Sequence, residues 1–354
     1  MVPKSKIINI DEFNYDQKDI PMRILDVRSP SEFLEDHMMG AENYPVLNDE
    51  ERSIVGSLYK KNNFAAKQLG AKLIAKNISV ILEFIEKSEQ AHIKQNLRKP
   101  LTNFLIYCWR GGMRSHSLFT VMDLIGYNTY VLNGGYKAYR SWINNFLTTY
   151  NFPRVIVVHG PSGTGKTEIL NTLQNEGFPI INLEKYANHS GSVFGNKVGR
   201  QPSQKYFETL LATRLLEVKH AKYLVFEAES SKIGKILLPN KIYSQILKSE
   251  KIWVELPLQI RAQRISKEYD FSKEEFHQKF QTLKKYIPSH IFNEINLKLL
   301  EDNKEISAEL LLKEHYDAYY KKFYRNNNNQ SDQTIVEESF DPLLEKVRNY
   351  LKSI

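Results

Sequence analysis

The chain has 354 residues, 42% hydrophobic and 25% charged, which excludes a disordered, collagenous or fibrous protein and, at about twice a common single-domain length, predicts two domains with separate cores. Lys and Arg outnumber Asp and Glu by 49 to 41, a net charge of +8 that favours phosphorylated or nucleic-acid partners; residues 1–150 hold 19 basic and 16 acidic side chains, so neither half is a polybasic arm. The single cysteine, Cys108, excludes an intramolecular disulfide, and with no apolar run of roughly 18 residues and no signal-peptide core, no membrane span is expected and the cytoplasm is the expected location.

In chain order, Met22-Arg-Ile-Leu-Asp-Val27 is a short apolar run that meets Arg28-Ser-Pro, a buried strand opening into a loop with Asp26 at its carboxyl end. Residues 66–87 carry Leu69, Leu73, Ile74, Ile78, Ile81, Leu82 and Ile85 at helical spacing and predict one or two helices before a second strand, Phe104–Cys108. Leu118 to Ile125 is again helical in period, and Thr129–Leu132 is a further strand. This is a parallel α/β layout closed by Tyr150-Asn-Phe-Pro153, which places a domain boundary near residue 150.

The second half predicts strands at 154–158, 180–183, 222–226 and 251–255, and helices from Lys166, over about 203–219 and over about 240–248. That alternation is a doubly wound parallel sheet. The polar stretch 326–333 predicts a loose linker ahead of an amphipathic helix over roughly 341–352. The organisation expected is 1–150, 151–325 and a tail of 326–354.

Gly160-Pro-Ser-Gly-Thr-Gly-Lys166-Thr167 fits G-x-x-x-x-G-K-[ST] and stands between an apolar strand and a helix, the context that a phosphate loop requires. Gly160, Gly163 and Gly165 let the backbone wrap an anion, and the amides of Ser162, Thr164 and the helix N-terminus point at phosphate oxygens. Lys166 neutralises charge and the Thr167 hydroxyl suits Mg²⁺. Glu227 and Glu229, at the end of the 222–226 strand, are the candidate carboxylates for metal or catalytic support, with Glu227 preferred. Arg261 and Arg264, three apart on a helix, are candidate phosphate clamps, although surface arginines are commoner.

Cys108 ends a strand and precedes Arg110, Gly111, Gly112 and Arg114. A lone cysteine is usually a small buried hydrophobe, but amide donors, two cations and a helix start around the sulfur favour a thiolate nucleophile. His189 is a candidate substrate contact or a satisfied loop histidine. The segment Tyr316–Arg325 offers base stacking and phosphate contacts, against an ordinary helix-packing stripe.

Asp26-Val-Arg28, His37-Met-Met-Gly40-Ala-Glu-Asn43-Tyr-Pro45, Cys108 with its arginine loop and Gly134-Gly135-Tyr136 together resemble a rhodanese domain, in which a thiolate carries a transferable chalcogen. The loop from Cys108 to Arg114 is C-x-x-x-x-x-R, one residue longer than in ordinary rhodaneses and similar to the rhodanese-like phosphatases. Fused to a phosphate-loop domain, the whole resembles the tRNA 2-selenouridine synthase family. Glu51–Lys60, Ala187–Gly195, Gln201–Glu208 and Glu227–Gly234 carry that resemblance further, and it adds Asp26, Arg28, His189, Ser192 and Gln204 as candidate substrate contacts. Ser190 and Ala228 depart from the family pattern.

The resemblance implies conversion of wobble 2-thiouridine in tRNA to 2-selenouridine through an S-geranylated intermediate. Geranyl diphosphate and selenophosphate would be co-substrates, with no tightly bound cofactor and Mg²⁺ as the candidate ion. The residues alone also fit a phosphate-loop small-molecule kinase or a cysteine phosphatase, although no general-acid Asp follows closely after Arg114, and a sulfur-carrier or RNA-binding adaptor.

Overall fold

The structure is a computed structural model that describes residues 3–13, 22–93, 102–189, 199–268, 278, 280–301, 303–317 and 332–354. It divides into two units, Met1–Thr149 with Ser203–Thr213, and Tyr150–Pro202 with Arg214–Ile354.

The first unit runs β1 (Ile7–Ile8), β2 (Met22–Asp26), α1 (Pro30–Glu35), β3 (Ala41–Asn43), α2 (Asp49–Lys61), α3 (Asn63–Ile93), β4 (Asn103–Tyr107), α4 (Met113–Leu124), β5 (Asn128–Leu132) and α5 (Gly135–Thr149). Its sheet has the order β1-β5-β4-β2-β3, parallel throughout. Helices cover a parallel sheet on its faces, so the central strand is apolar without alternation, and all five residues of β4 are buried. Leu25, Phe104, Ile106, Leu118 and Met122 pack with Ile78, Ile81 and Ile85 of α3 in one core. Asp26 pairs in register with Tyr107, so β2 and β4 end side by side, at the edge where α/β sheets bind ligands.

The helical stretch anticipated over 66–87 is the middle of α3, and α2 precedes it from Asp49. Helix α2 has no buried residue, which is why hydrophobic spacing did not reveal it. Its ends are marked chemically instead: Asn48 and Glu51 form a capping box, with acids at 49–51 and lysines at 60–61.

The second unit contains β6 (Arg154–His159), α6 (Lys166–Asn175), β7 (Ile180–Ile181), α7 (Leu183–Tyr186), α8 (Gln204–Glu217, whose residues 204–213 group with the first unit), β8 (Tyr223–Glu227), β9 (Lys232–Ile233), β10 (Ile236–Leu237), α9 (Asn240–Lys248), β11 (Glu250–Glu255), α10 (Leu258–Glu268), α11 (Ser289–Leu300), α12 (Lys304–Leu311), β12 (Gln333–Val336) and α13 (Phe340–Lys352). The main sheet has the order β12-β11-β6-β8-β7, again parallel.

The helix expected over roughly 341–352 is α13, and the difference from expectation is a strand just ahead of it. Gln333–Val336 forms β12 beside β11, and Leu343, Val347 and Leu351 of α13 pack into the core with Ile335, Ile252 and Val254. A four-residue edge strand is too short for its period to stand out beside a polar run. Residues 326–331 and 318–325 lie outside the described residues.

Candidate active site

Cys108 follows β4 directly and is only 3% exposed. Its Sγ accepts the Gly112 N–H at 3.2 Å, and the Ser115 hydroxyl lies 3.3 Å from the sulfur and 3.0 Å from the Gly112 carbonyl. Both donors sit at the N-terminal turn of α4, where the helix dipole favours negative charge. The sulfur therefore faces an amide donor and a hydroxyl at the start of a helix. Ser115 was not among the sequence candidates, because a serine at the start of a helix ordinarily signals a cap.

The loop rests on a glycine turn. Tyr136 N–H donates to the Cys108 carbonyl at 2.8 Å and Lys137 N–H to that of Trp109 at 3.0 Å. A Cβ at Gly135 would stand 2.2 Å from the Cys108 carbonyl oxygen and 2.5 Å from Gly111 N, and Gly111, Gly134 and Gly135 all have positive φ. Only glycine admits this contact at that backbone angle.

The arginines divide. Arg110 is exposed on the loop, whereas Arg114 donates to both oxygens of Glu32, at 2.7 and 3.3 Å. Glu32 also accepts the Ser29 N–H at 3.1 Å, capping α1. Burial raises the Glu32 pKa, but Arg114 and the Ser29 amide outweigh it and hold the carboxyl below its ordinary value.

Asp26 and Arg28 are placed in the interior, 0% and 1% exposed, and not at a surface a substrate reaches. Arg28 grips the Asp26 carboxylate with Nε and Nη2 at 2.6–3.0 Å, donates to the Asp36 carbonyl at 2.6 Å and stacks 3.9 Å from the Tyr136 ring centre. They are a structural pair beneath the Cys108 loop, through Tyr136.

In the second unit, Gly160 to Gly165 joins β6 to α6, with Gly163 and Gly165 at positive φ. A Cβ at Gly160 would lie 2.2 Å from the Val254 carbonyl. Thr164 donates to the Pro161 carbonyl at 2.8 Å, and Lys166 Nζ lies across the loop on the Gly160 and Pro161 carbonyls, at 2.7 and 3.2 Å. Those are neutral acceptors, so an anion in the loop offers the ammonium a better partner. His159 stays neutral, its pKa lowered to about 3 by burial and by the charges of Lys166 and Lys251.

The Thr167 hydroxyl lies 3.1 Å from a carboxylate oxygen of each of Glu184 and Glu227. Ligand oxygens of Glu184, Glu227 and Glu229 all lie within 4.8 Å of one another. Burial, and then the charges of Glu184 and Glu227, push the Glu229 pKa well above its ordinary value. Three carboxylates and a hydroxyl are the hard oxygen donors that Mg²⁺ takes, and a divalent cation would offset their repulsion. Both acidic candidates from the sequence are therefore here, joined by Glu184. That residue escaped notice because α7 has only four residues and no motif of its own.

Arg261 is 4% exposed; it pairs with both Asp317 oxygens at 2.9 and 2.7 Å and donates to the Leu256 and Ser162 carbonyls. It braces the loop through Ser162, with its donors engaged by protein. Arg264 pairs with Glu168 and stacks 4.1 Å from the Phe340 ring centre, and a Cβ at Gly165 would lie 2.6 Å from its Nη2. Of the two, Arg264 is placed against the loop's last glycine. His189 is half-buried, its N–H donating to the Glu184 carbonyl at 3.0 Å, and Gln204 donates to Glu208 at 2.8 Å. Ser190 and Ser192 lie outside the described residues.

A family model described as a rhodanese-like domain matches residues 9–141, and one described as the tRNA 2-selenouridine synthase AAA domain matches 153–306. Proteins named tRNA 2-selenouridine synthase are similar across the junction. That of Nitrosomonas europaea is 33% identical over 256 residues, covering 70% of this chain and 63% of its own length. Those of Bdellovibrio bacteriovorus and Psychromonas ingrahamii are 34% and 33% identical, covering 72% and 70% of this chain and 66% and 64% of their own lengths. With a cradled cysteine in a rhodanese-like unit and a phosphate loop in the matched second unit, the chain belongs to the tRNA 2-selenouridine synthase family.

Proposed function

We propose that the chain converts wobble 2-thiouridine in tRNA to 2-selenouridine in two transfers, with geranyl diphosphate and selenophosphate as co-substrates. The observation that carries this reading is the presence, in one chain matched by both family models, of a cysteine cradled for chalcogen chemistry and a loop built for a phosphorylated ligand.

In the first transfer the thiocarbonyl sulfur forms a bond to C1 of the geranyl group, the C1–O bond breaks and diphosphate leaves. Gly160–Thr167 holds the diphosphate, with Lys166 turned from the loop carbonyls to the anion. Mg²⁺ held by Thr167, Glu184, Glu227 and Glu229 would neutralise charge on the leaving group. In the second transfer selenium from selenophosphate bonds to C2 of the base, the C2–S bond breaks and geranyl thiolate leaves, taking a proton to become the thiol. The P–Se bond is cleaved by water, giving phosphate. Cys108, with the Gly112 amide and Ser115 hydroxyl at its sulfur, serves this exchange. Alkylation matters because a thiolate is a far better leaving group than an unmodified thiocarbonyl sulfur.

The phosphatase alternative is disfavoured by Arg114, whose donors go to Glu32 and not to an anion beside the sulfur. Mass spectrometry of nucleosides from 2-thiouridine tRNA, treated with the protein and geranyl diphosphate and then selenophosphate, tests the reading. S-geranylated and then selenated uridine is the expected sequence of products, and an unchanged nucleoside with folded protein overturns it. Cys108→Ser is expected to abolish selenation and spare geranylation, and Lys166→Ala to abolish geranylation. Equal loss of both steps in the cysteine variant would refute the division of roles.

A further inference from the structure

Helices α2 and α3 enclose, with the first turns of α4, a cavity of about 410 Å³ within the first unit. That volume falls in the range of small-molecule sites, roughly 300–1,000 Å³. Val55, Ala66, Gly70 and Ile74 form its apolar walls, and Gly70 contributes no side chain to fill it. Tyr59 and Met113, 51% and 61% exposed, also line it and carry its apolar surface out to solvent. Its charged lining is Arg52, Lys60, Lys67 and Arg114; the two arginines pair with Glu32, which leaves Lys60 and Lys67 as its cationic border. Met113, Arg114 and Ser117 belong to the helix whose first turn also supplies Ser115 to the Cys108 sulfur.

An apolar cavity with a cationic border fits a ligand with a hydrocarbon chain next to anionic groups, and its α4 wall ties it to the cysteine. We infer that this cavity seats the geranyl chain of S-geranylated 2-thiouridine while the modified base is presented to Cys108, with Lys60 and Lys67 meeting RNA phosphates. This assignment rests on the two-transfer reading. It gives that reading a specificity element: a base carrying the chain is held for selenium exchange, and an ungeranylated base lacks that anchor. It also provides an apolar home for the departing geranyl thiol.

The test measures binding of the full chain to an anticodon stem-loop RNA carrying S-geranyl-2-thiouridine and to the same RNA carrying 2-thiouridine. The native chain is expected to prefer the geranylated RNA by at least about tenfold, which burial of two methylene groups supplies. Ala66→Phe, which fills the cavity, and Met113→Glu, which puts a carboxylate on its exposed lining, are each expected to cut the preference below about threefold, with melting temperatures reporting that the variants fold. The exposed Met113 site keeps the test decisive should Ala66→Phe prove unstable. If both folded variants keep the full preference, the chain binds elsewhere and the cavity assignment falls while the two-transfer reading stands. If the native chain neither prefers the geranylated RNA nor selenates it, both fall.

Discussion

Arg28 is 1% exposed, a position that a guanidinium occupies only with its charge and donors matched. Asp26 supplies the charge, the Asp36 carbonyl a further acceptor, and the Tyr136 ring a π face. Removing the carboxylate leaves an uncompensated buried cation. Asp26→Ala is therefore expected to cost about 3–5 kcal/mol in urea unfolding, and a loss under about 1 kcal/mol would mean that the pair is not the anchor described. The Glu32 carboxyl has its pKa lowered in the folded state. Its stabilisation is fully present above the unfolded carboxylate pKa and is lost as pH falls through the lower folded value. Glu32→Gln is expected to remove roughly 1.5–3 kcal/mol near neutrality and to flatten the acid limb of a melting-temperature profile. An unchanged acid limb would show that Arg114 finds another partner.

At the scale of elements, both sites occupy the same kind of place, the carboxyl end of a parallel strand running into a helix. Parallel strands leave their carboxyl ends at one edge, and the following helix N-terminus adds amides and positive potential there. In the second unit the ends of β6 and β8 and the short α7 bring Thr167, Glu227, Glu229 and Glu184 together. Like charges gathered in a buried site destabilise it without a counter-ion. Mg²⁺ is expected to raise the stability of the native chain by about 2.7 kcal/mol at a hundredfold excess over its Kd, read as a rise in melting temperature. Glu227→Gln should abolish most of that rise, and an equal rise in the variant would remove Glu227 from the metal site.

At the scale of the whole molecule, the chain closes its second sheet with its last residues. Strand β12 covers the edge of β11, and α13 places Leu343, Val347 and Leu351 in the core at 0–1% exposure. Burying three such side chains contributes about 5–9 kcal/mol, comparable with the whole stability of a domain, roughly 5–15 kcal/mol. A chain ending at residue 332 is expected to lose cooperative melting of the second unit and to aggregate through the opened edge of β11. A truncated chain that stays soluble with native circular dichroism would show that the tail is dispensable.

The sequence by itself determined the two α/β sheets, the phosphate loop and the placing of Cys108 between a strand and a helix, because each is written in consecutive residues: an apolar run, a glycine pattern, a helix start. It also named Glu227, the last residue of β8, and Glu229, two residues beyond it. Tertiary structure alone decided which candidates meet. Glu184 joins the acidic cluster from a four-residue helix, Ser115 turns to the sulfur, Arg261 is spent on Asp317, and Asp26 and Arg28 pair in the core. The cavity between α2 and α3 was invisible for the same reason. Its walls come from residues scattered between positions 47 and 117, and the space between side chains is fixed by packing across elements, which no local pattern records.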